Sequence, residues 1–314
     1  MLTAMHRFFP SIIEPLLRSI NARSLIEIGM GEGKHSHLLA AYCEEHGDEL
    51  QCIDPRPWFD AATLLGKYPR VRFHKKRSIE ALQEIDACDA VLIDGDHNWY
   101  TVTQELKLIE AMAKRSGKFP LVLLHDVAWP YDRRDLYYSP EEIPKEFLHP
   151  HLRAAIVPGD KNLSLTKGFN AHSFHATEEG TPRNGVLTAI EDFLKERAAQ
   201  LRFITVPGFQ GLGILFPLSL AEKQPPFRAL IQDLERKTPL KGHVEKMEEE
   251  RNKMLGKLGE HEHIVRRLQR ECAEKEMILQ RMRRSKSWRW TLPLRKLHKN
   301  ARVIASRNRP AQTP

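Results

Sequence analysis

The sequence is poor in cysteine and has no long apolar run. Its 314 residues include 4 cysteines, which lie far apart and form no C-x-x-C pair. This spacing excludes a disulfide framework, argues against a structural zinc site and predicts a reducing, cytoplasmic environment. No apolar run approaches the ~20 residues of a membrane-spanning helix. Charged residues such as Arg7 and Glu14 interrupt the first twenty residues, so no secretory signal region is predicted.

Acidic side chains are missing from residue 281 onward, where eleven lysines and arginines remain. Residues 1–280 hold 38 basic and 41 acidic side chains, so the net charge of +8 belongs to the C-terminal end. The basic overall charge is therefore no argument that the main body binds nucleic acid. The composition, 41% hydrophobic and 29% charged, is that of a globular protein of about two domains.

Seven short apolar runs in the first 235 residues predict β-strands. Four helical patterns separate the first five runs, which predicts a parallel sheet covered by helices on both faces. A short turn joins the last two runs and predicts an antiparallel hairpin. The predicted fold is therefore α/β, a doubly wound, Rossmann-like seven-stranded sheet with a terminal antiparallel hairpin. The strand runs are Leu25–Ile28, Leu50–Asp54, Val71–His74, Ala90–Asp94, Leu121–Asp126, Arg202–Val206 and Gly211–Phe216, and the helical patterns are His35–His46, Phe59–Leu65, Ile79–Ile85 and Trp99–Arg115.

Three glycines follow the first predicted strand directly, at Gly29, Gly31 and Gly33. Glycine allows positive φ and close approach of backbone to a ligand, and the following helix offers free N–H groups. Lys34 stands where the dinucleotide fingerprint needs a glycine, so the pattern is acidic-x-G-x-G-x-G instead. Asp54, at the end of the second strand, can accept hydrogen bonds from ribose hydroxyls. These features predict a nucleoside-cofactor site; the alternative is a turn that only lets helix and strand pack.

With these residues, the region 20–216 resembles the class I S-adenosylmethionine-dependent methyltransferases. Glu27-x-Gly29-x-Gly31-x-Gly33 matches the first motif of that family. The resemblance implies that the glycine turn contacts the methionine part of S-adenosylmethionine and that Asp54 holds its ribose. The implied cofactor residues are Glu27, Gly29, Gly31, Gly33, Asp54 and Asp94.

Polar side chains follow the fourth and fifth predicted strands, with Asp94, Asp96 and His97 after one and His125 and Asp126 after the other. Ligands bind beyond the carboxyl ends of the strands in such sheets, so both groups are expected to flank one crevice. The carboxylates suit Mg²⁺ or Mn²⁺, and a histidine of near-neutral pKa can deprotonate a hydroxyl. Two alternatives stay open: Asp94 caps the next helix or contacts the cofactor, and His97 is structural.

This arrangement resembles the metal-dependent O-methyltransferases that act on sugars, macrolide sugars and catechols. The resemblance implies that Asp94, His125 and Asp126 hold Mg²⁺ or Mn²⁺ and that His97 is the base. The family usually has a carboxylate at the position of His125. That departure leaves the metal open, because His125 could instead orient the substrate or serve as the base.

Nearly sixty residues, 128–185, separate the fifth strand from the sixth. A connection this long on the substrate side of a sheet more often has a function than not. Aromatic rings can cover the apolar faces of a sugar, and charged groups can bind its hydroxyls. The stretch therefore predicts a lid over a sugar; the alternative is a surface loop without a binding role. The sequence does not identify individual contacts; the aromatic, charged and histidine side chains of this stretch include Trp129, Tyr131, Asp132, Arg133, Arg134, Asp135, Tyr137, Tyr138, His172 and His175.

Residues 240–284 contain neither proline nor aromatic residues and are dense in charge. Nine of twelve a and d positions of a seven-residue repeat are apolar, which predicts a coiled coil and self-association; a solvated single helix is the alternative. Gly256 and Gly259 each cost ~1 kcal/mol of helix propensity, which predicts a weak middle. The a positions are Val244, Arg251, Leu258, Val265, Cys272 and Leu279, and the d positions are Met247, Met254, His261, Leu268, Lys275 and Met282.

Residues 285–314 interleave Trp288, Trp290 and leucines with basic side chains. Tryptophan favours membrane interfaces and basic residues favour anionic lipid, so this tail predicts peripheral binding at the inner face of the cell membrane. Its Ser-Trp-Arg…Thr…Pro-Leu-Arg pattern resembles a segment of many bacterial glycosyltransferases and methyltransferases of surface-polysaccharide assembly, which implies glycan-assembly enzymes as partners. Nucleic acid is the less favoured ligand, and a disordered basic end is the remaining alternative.

Together these features predict a cytoplasmic enzyme that methylates a sugar hydroxyl of a glycan or glycolipid precursor. The predicted parts are a methyltransferase domain over 1–235, a coiled-coil helix over 240–284 and a basic tail over 285–314. Two other functions remain open. One is a small-molecule O- or N-methyltransferase of secondary metabolism, and the other is a noncatalytic scaffold that binds cofactor while the coiled coil recruits partners.

Overall fold

A seven-stranded sheet forms the centre of the computed structural model, which describes residues 5–236 and 239–291. The sheet order is β3-β2-β1-β4-β5-β10-β9; the first five strands run parallel, and β10 is antiparallel to both neighbours. The predicted seven-stranded α/β sheet is confirmed. The strands of the chain are β1 (Ser24–Ile28), β2 (Glu49–Ile53), β3 (Val71–His74), β4 (Ala90–Ile93), β5 (Leu121–His125), β6 (Leu136–Tyr137), β7 (His151–Arg153), β8 (Phe174–Ala176), β9 (Leu201–Val206) and β10 (Leu212–Pro217).

Helices cover both faces of the sheet. Successive side chains of a strand point to opposite faces, so Leu25 packs in one apolar core and Ile26 in the other. The first core includes residues of α1, α2 and α8, and the second includes residues of α5 and α6. The helices are α1 (Glu14–Ser19), α2 (Lys34–His46), α3 (Ala61–Lys67), α4 (Ser78–Ala81), α5 (Trp99–Ser116), α6 (Val186–Leu194), α7 (Leu218–Lys223), α8 (Pro225–Glu235), α9 (Pro239–Arg284) and α10 (Lys286–Trp290).

The insertion, residues 128–185, builds a small antiparallel sheet of its own in the order β6-β8-β7. Tyr131, Leu136 and Ile156 form an apolar cluster there. The backbone N–H of Leu136 donates to the carbonyl of His97 at 3.0 Å. The insertion is therefore an ordered subdomain attached at the carboxyl end of β4, beside the crevice that the parallel strands create.

The sheet domain extends further along the chain than the sequence predicts. Compact packing divides the chain into Met1–Gly259 and Glu260–Pro314, so the first turns of α9 belong to the first unit. A Cβ on Gly256 would lie 2.9 Å from the Pro158 ring, and one on Gly259 would overlap the carbonyl of Gly168. The predicted domain limit at 235 lies before the end of this unit. The two glycines allow close packing of α9 on the insertion, a role that their helix propensity does not reveal.

The start of α9 has two different faces. Side chains that face the sheet domain are at least partly buried, among them Glu248, Arg251 and Asn252. Met247, Met254 and Leu258 on the opposite side are 59%, 68% and 55% exposed. Arg251 therefore lies on the packed face, although the repeat assigns it to the seam. The exposed positions form an apolar stripe along the outer face.

The second unit is described by the rest of α9 and by the short helix α10. Its exposed apolar side chains include Val265, Leu268 and Met282 of the repeat. Trp290 is 84% exposed, and Ser285 caps α10 by accepting from the N–H of Trp288. The part of the tail beyond 291 lies outside the described residues. None of the described helices is both long enough and apolar enough to cross a membrane.

Candidate active site

The glycine turn lies where the strand order reverses, between β1 and β4. Gly29, Gly31 and Gly33 all have positive φ, at +87°, +50° and +80°. A Cβ on Gly29 would overlap the carbonyl oxygen of Asp94, and one on Gly33 would lie 2.8 Å from the Phe59 ring. Helix α2 begins at the end of this turn, and no described side chain caps its first amides. The first backbone N–H groups of α2 therefore remain for a ligand at the place the motif predicts.

Asp54 holds the glycine turn in place. Its Oδ2 accepts from the backbone N–H groups of Met30 at 2.8 Å and Gly31 at 3.4 Å. Its Oδ1 accepts from the N–H of Arg56 at 2.7 Å. A carboxylate has about four acceptor positions, so it can still accept from a ribose hydroxyl. The ribose role of Asp54 stays a prediction, and the support of the turn is an additional role.

Glu27 is buried below the turn rather than exposed in the crevice. It is 1% exposed, and its Oε1 lies 3.2 Å from Nδ1 of His35. Glu27 Oε1, His35 Nε2 and Ser36 Oγ are buried without a hydrogen-bond partner among the described residues. Buried polar atoms are rarely left unpaired. A polar ligand at the turn would satisfy such atoms, so the residues present fit S-adenosylmethionine.

The structure brings together the polar residues that follow β4 and β5. Nδ1 of His125 lies 3.1 Å from Oδ1 of Asp94 and 2.8 Å from Oδ2 of Asp126. Nδ1 of His97 lies 3.3 Å from the same Oδ2 of Asp126. Asp96 instead accepts from Thr101 Oγ1 at 3.1 Å. The expected crevice therefore contains two histidines and two carboxylates.

His125 is a bridging cation in this cluster. Its Nε2 donates to the carbonyl of Phe209 at 2.8 Å, because a carbonyl can only accept. Burial lowers the pKa of His125, but Asp94 and Asp126 outweigh burial and raise this pKa well above the usual range. Both ring nitrogens of His125 therefore already contact acceptor oxygens. Its predicted roles as metal ligand or base stay predictions, and in this arrangement its ring holds the two carboxylates together.

Asp126 stays ionised between the two histidines. Burial raises the pKa of its carboxyl, but His97 and His125 outweigh burial and lower this pKa below the usual value. Its backbone has φ +59°, an unfavourable conformation for a residue with a Cβ. Backbone strain of this kind is concentrated at functional sites, because the surrounding structure must impose it.

His97 is packed between this carboxylate and the insertion. Its ring stacks on Tyr131 with centroids 5.6 Å apart and an interplanar angle of 11°, and the ring of Tyr138 lies 6.0 Å away. The next helix, α5, is capped by Asn98, whose side chain accepts from the N–H of Thr101 at 2.8 Å. Asp94 is therefore not the cap of that helix, which removes one structural explanation for its position.

The residues that fit a divalent ion differ from the predicted set. Donor atoms of Asp94, His97 and Asp126 lie within 4.8 Å of one another. Two carboxylates and one imidazole suit Mn²⁺ or a later transition metal better than Mg²⁺. His125 takes no part in this set, since both its nitrogens already bind acceptors.

Several polar side chains of the insertion hold it together. Oδ1 of Asp135 accepts from the N–H groups of Trp99 at 2.7 Å and Gly185 at 2.6 Å, and its Oδ2 accepts from the Tyr137 hydroxyl at 2.8 Å. Arg134 is fully buried and donates to the carbonyls of Ala176 and Lys161. These side chains have structural roles, because Asp135 and the terminal nitrogens of Arg134 are already engaged within the insertion.

The middle of the insertion also supports His97. Nδ1 of His175 donates to the Ala154 carbonyl at 2.9 Å, so its Nε2 accepts from the Tyr131 hydroxyl at 3.3 Å. Burial lowers the pKa of His175 to about 4, which keeps the ring neutral. The rings of His97, Tyr131 and His175 form a continuous stack. His175 is therefore a support for Tyr131 rather than a sugar contact.

Sequence reasoning missed the contribution of the turn between β9 and β10. The carbonyl of Phe209 accepts the Nε2 proton of His125, and the Phe8 ring lies edge-on to His125 with centroids 6.3 Å apart. A backbone carbonyl carries no sequence signal. The Pro207-Gly208 dipeptide indicated only a turn.

Comparison with known proteins agrees with this geometry. Residues 26–127 match the family model of a methyltransferase domain. The prediction of an S-adenosylmethionine-dependent methyltransferase is confirmed, and the noncatalytic scaffold is not supported. No curated protein sequence matches this chain.

Solved methyltransferase structures resemble the chain at low sequence identity. The S-adenosylhomocysteine-bound methyltransferase PaMTH1 of Podospora anserina is 13% identical, with 65% of this chain and 76% of that chain covered and a TM-score of 0.40. An O-methyltransferase of Bacillus cereus in complex with S-adenosylhomocysteine is 13% identical, with coverage of 69% and 82% and a TM-score of 0.40. The O-methyltransferase TomG of Streptomyces achromogenes is 18% identical, with coverage of 68% and 86% and a TM-score of 0.38.

Proposed function

We propose that the methyltransferase transfers the methyl group of S-adenosylmethionine to a hydroxyl of a sugar in a glycan or glycolipid precursor. The observation that carries the proposal is the position of His97. It contacts the Asp126 carboxylate on one side and stacks on Tyr131 on the other, at the edge of the sheet that holds the glycine turn.

The contact with Asp126 favours the tautomer of His97 that has its ring proton on Nδ1. A proton on Nδ1 faces the carboxylate at 3.3 Å, which leaves Nε2 as the acceptor of a hydroxyl proton. S-adenosylmethionine, when bound, supplies an already activated methyl group. The chain must therefore place the hydroxyl, take its proton and exclude water.

The aromatic residues beside His97 support a sugar as acceptor. Tyr138 is 43% exposed, with its ring 6.0 Å from His97, and Trp129 is half-buried at the start of the insertion. Apolar ring faces suit the C–H faces of a sugar. Asp132 is also half-buried, and burial raises its pKa to about 6.

A divalent ion is the rival arrangement for the same proton transfer. Asp94, His97 and Asp126 would hold it, and it would lower the pKa of a bound hydroxyl. With His97 among the ligands of the ion, His97 would not be a free base, so the two arrangements exclude each other. Activity that survives a chelator favours His97 as base. Activity that the chelator removes and Mn²⁺ restores favours the ion.

The acceptor class is tested by methyl transfer from labelled S-adenosylmethionine to parallel panels of nucleotide sugars, lipid-linked glycans and small phenols or amines. We expect oxygen-methylated sugar products. Transfer to phenols or amines alone would overturn the sugar proposal and favour a small-molecule methyltransferase. For an active-site variant, His97→Gln, the matched control is His261→Gln, because His261 is an exposed histidine of α9.

The outer face of α9 supports self-association as a further part of the proposal. Met247, Met254 and Leu258 form this exposed apolar stripe in the first unit, and Val265 and Leu268 are exposed apolar side chains of the second unit. A second helix would bury the stripe, and α10 would bring exposed Trp290 and basic residues to an anionic membrane. Replacing Val265 and Leu268 by Glu should lower the mass measured by light scattering to that of one chain. An unchanged mass would contradict the coiled-coil proposal.

A further inference from the structure

The turn between β9 and β10 has an unfavourable backbone conformation. Gly208, Phe209, Gln210 and Gly211 all have positive φ, and for Phe209 and Gln210 the values are +47° and +67°. Side chains with a Cβ rarely adopt this region, because the Cβ approaches the following carbonyl. Two such residues in succession require support from outside the turn.

Helix α9 supplies that support. Oε1 of Glu248 accepts from the backbone N–H of Gln210 at 3.1 Å, and Nε of Arg251 donates to Glu248 at 2.8 Å. The guanidinium of Arg251 lies over the Phe209 ring, 5.5 Å from its centroid. Burial raises the pKa of Glu248, but Arg251 and the turn amides outweigh burial and lower this pKa below its usual value. An ionised carboxylate and its arginine thus clamp both strained residues.

The same turn contacts the active site. The Phe209 carbonyl accepts from Nε2 of His125 at 2.8 Å, and the Gln210 carbonyl accepts from the N–H of Ala128 at 2.8 Å. With the Gln210 amide oriented to match donors with acceptors, its nitrogen donates to the Phe209 carbonyl at 2.8 Å and its oxygen accepts from Arg251 at 2.9 Å. Every link from α9 to His125 is therefore a hydrogen bond or a ring contact.

We propose that Glu248 and Arg251 are positioning residues of the active site, which act through the Phe209–Gln210 turn on His125. His125 in turn fixes the carboxylates of Asp94 and Asp126, and Asp126 orients His97. The inference rests on the proposed role of His97 as base. It assigns a part in catalysis to a helix that lies beyond the predicted methyltransferase domain.

The experiment compares full-length wild type with Glu248→Ala, Glu248→Gln and Glu249→Ala. Glu249 is the matched control, because it is the next residue and points to solvent. Two readouts are used. The first is the ring N–H signal of His125 in ¹⁵N-histidine NMR, assigned by its loss in His125→Asn, and the second is kcat measured separately from the KM for S-adenosylmethionine.

Glu248→Ala should weaken or broaden the His125 signal and lower kcat about tenfold or more, with KM for the cofactor within about twofold. Glu248→Gln should restore both, because its amide oxygen still accepts from the Gln210 N–H. Glu249→Ala should match wild type. An unchanged His125 signal and kcat in folded Glu248→Ala would overturn the inference.

A second variant and the NMR readout decide the test if Glu248→Ala does not fold or no acceptor is methylated. If Glu248→Ala fails to fold, Arg251→Met tests the same clamp, since Met can cover the Phe209 ring but cannot donate to Glu248 or Gln210. If no acceptor is methylated, the NMR signal alone decides. Loss of the signal in Glu248→Ala would then support the clamp while the proposed function fails, and an unchanged signal would overturn the clamp itself.

Discussion

The crevice at the sheet edge and the insertion beside it are both rich in buried polar side chains, but they use them differently. In the insertion, Asp135 already accepts three hydrogen bonds. At the sheet edge, His97 contacts a carboxylate through one nitrogen, and polar atoms below the glycine turn have no partner among the described residues. Saturated polar groups hold structure, whereas groups with spare capacity can bind and react.

The largest effect should come from breaking the sheet-edge cluster at Asp126. In Asp126→Asn the amide can donate to Nδ1 of His97, which places the ring proton on Nε2 and removes the base. We expect kcat to fall on the order of 10²–10⁴-fold, the usual contribution of general base catalysis. Steady-state kinetics on the best acceptor is the measurement. Asp96→Asn is the control, because Asp96 turns toward Thr101, and an equal loss there would refute the tautomer argument.

Removal of a saturated carboxylate in the insertion, Asp135, should lower the stability of the protein rather than its catalytic rate. Asp135→Ala leaves the N–H groups of Trp99 and Gly185 without their acceptor. We expect the free energy of unfolding to fall by about 2–5 kcal/mol, as for other broken buried networks. Chemical denaturation measures it, with exposed Glu141→Ala as the control. A stable Asp135→Ala protein that has lost its activity would instead indicate that Asp135 binds the acceptor.

Glu105 extends the comparison, because it is a buried carboxyl that lies outside the sheet-edge cluster. It is fully buried in α5, and burial raises its pKa to about 8. The unfolded chain loses this proton near pH 4.3, so stability should fall as pH rises from about 4 to 8 and then level off. Glu105→Gln should remove this trend and stabilise the protein at pH 7 by on the order of 2–3 kcal/mol.

Urea denaturation at several pH values checks this prediction. Glu80→Gln is the control, since Glu80 is exposed and this variant should keep the pH dependence of stability seen in wild type. A parallel pH dependence in wild type and Glu105→Gln would show that Glu105 loses its proton in the folded state as readily as in the unfolded chain.

The smallest expected effect concerns Asp54, which both supports the turn and is predicted to hold ribose. Asp54→Ala leaves the N–H groups of Met30 and Arg56 unpaired. S-adenosylmethionine binding should weaken by about 1–3 kcal/mol. Calorimetry with S-adenosylmethionine and with methionine alone separates the two roles. A loss confined to the full cofactor indicates ribose contact, and an equal loss for methionine indicates collapse of the turn.

Much of the sheet edge could be predicted, because local patterns determine it. Strand runs, the glycine triplet and the residues after Ile93 and Leu124 all follow from periodicity and spacing. Topology then brings the carboxyl ends of parallel strands together. For the same reason the meeting of Asp94, His97 and Asp126 could be anticipated without coordinates.

The remaining features depend on contacts between distant parts of the chain. Nothing local distinguishes Arg134, which is buried, from Arg133, which pairs with Glu191 near the surface. The state of His125 depends on a backbone carbonyl 84 residues away. From the sequence, Gly256 only lowers helix propensity; in the structure, it allows Pro158 to pack closely against the helix. Hydrogen-bond saturation and close packing of this kind are properties of the tertiary structure.

The most direct test of the central claim is methyl transfer by the His97→Gln variant in the presence of a chelator. Gln keeps a polar side chain of similar size but cannot accept a proton as a base. The account predicts normal S-adenosylmethionine affinity by calorimetry, full wild-type activity in chelator, and a loss of kcat on the order of 10²–10⁴-fold in the variant. Activity of His97→Gln equal to wild type would contradict the claim that His97 takes the hydroxyl proton.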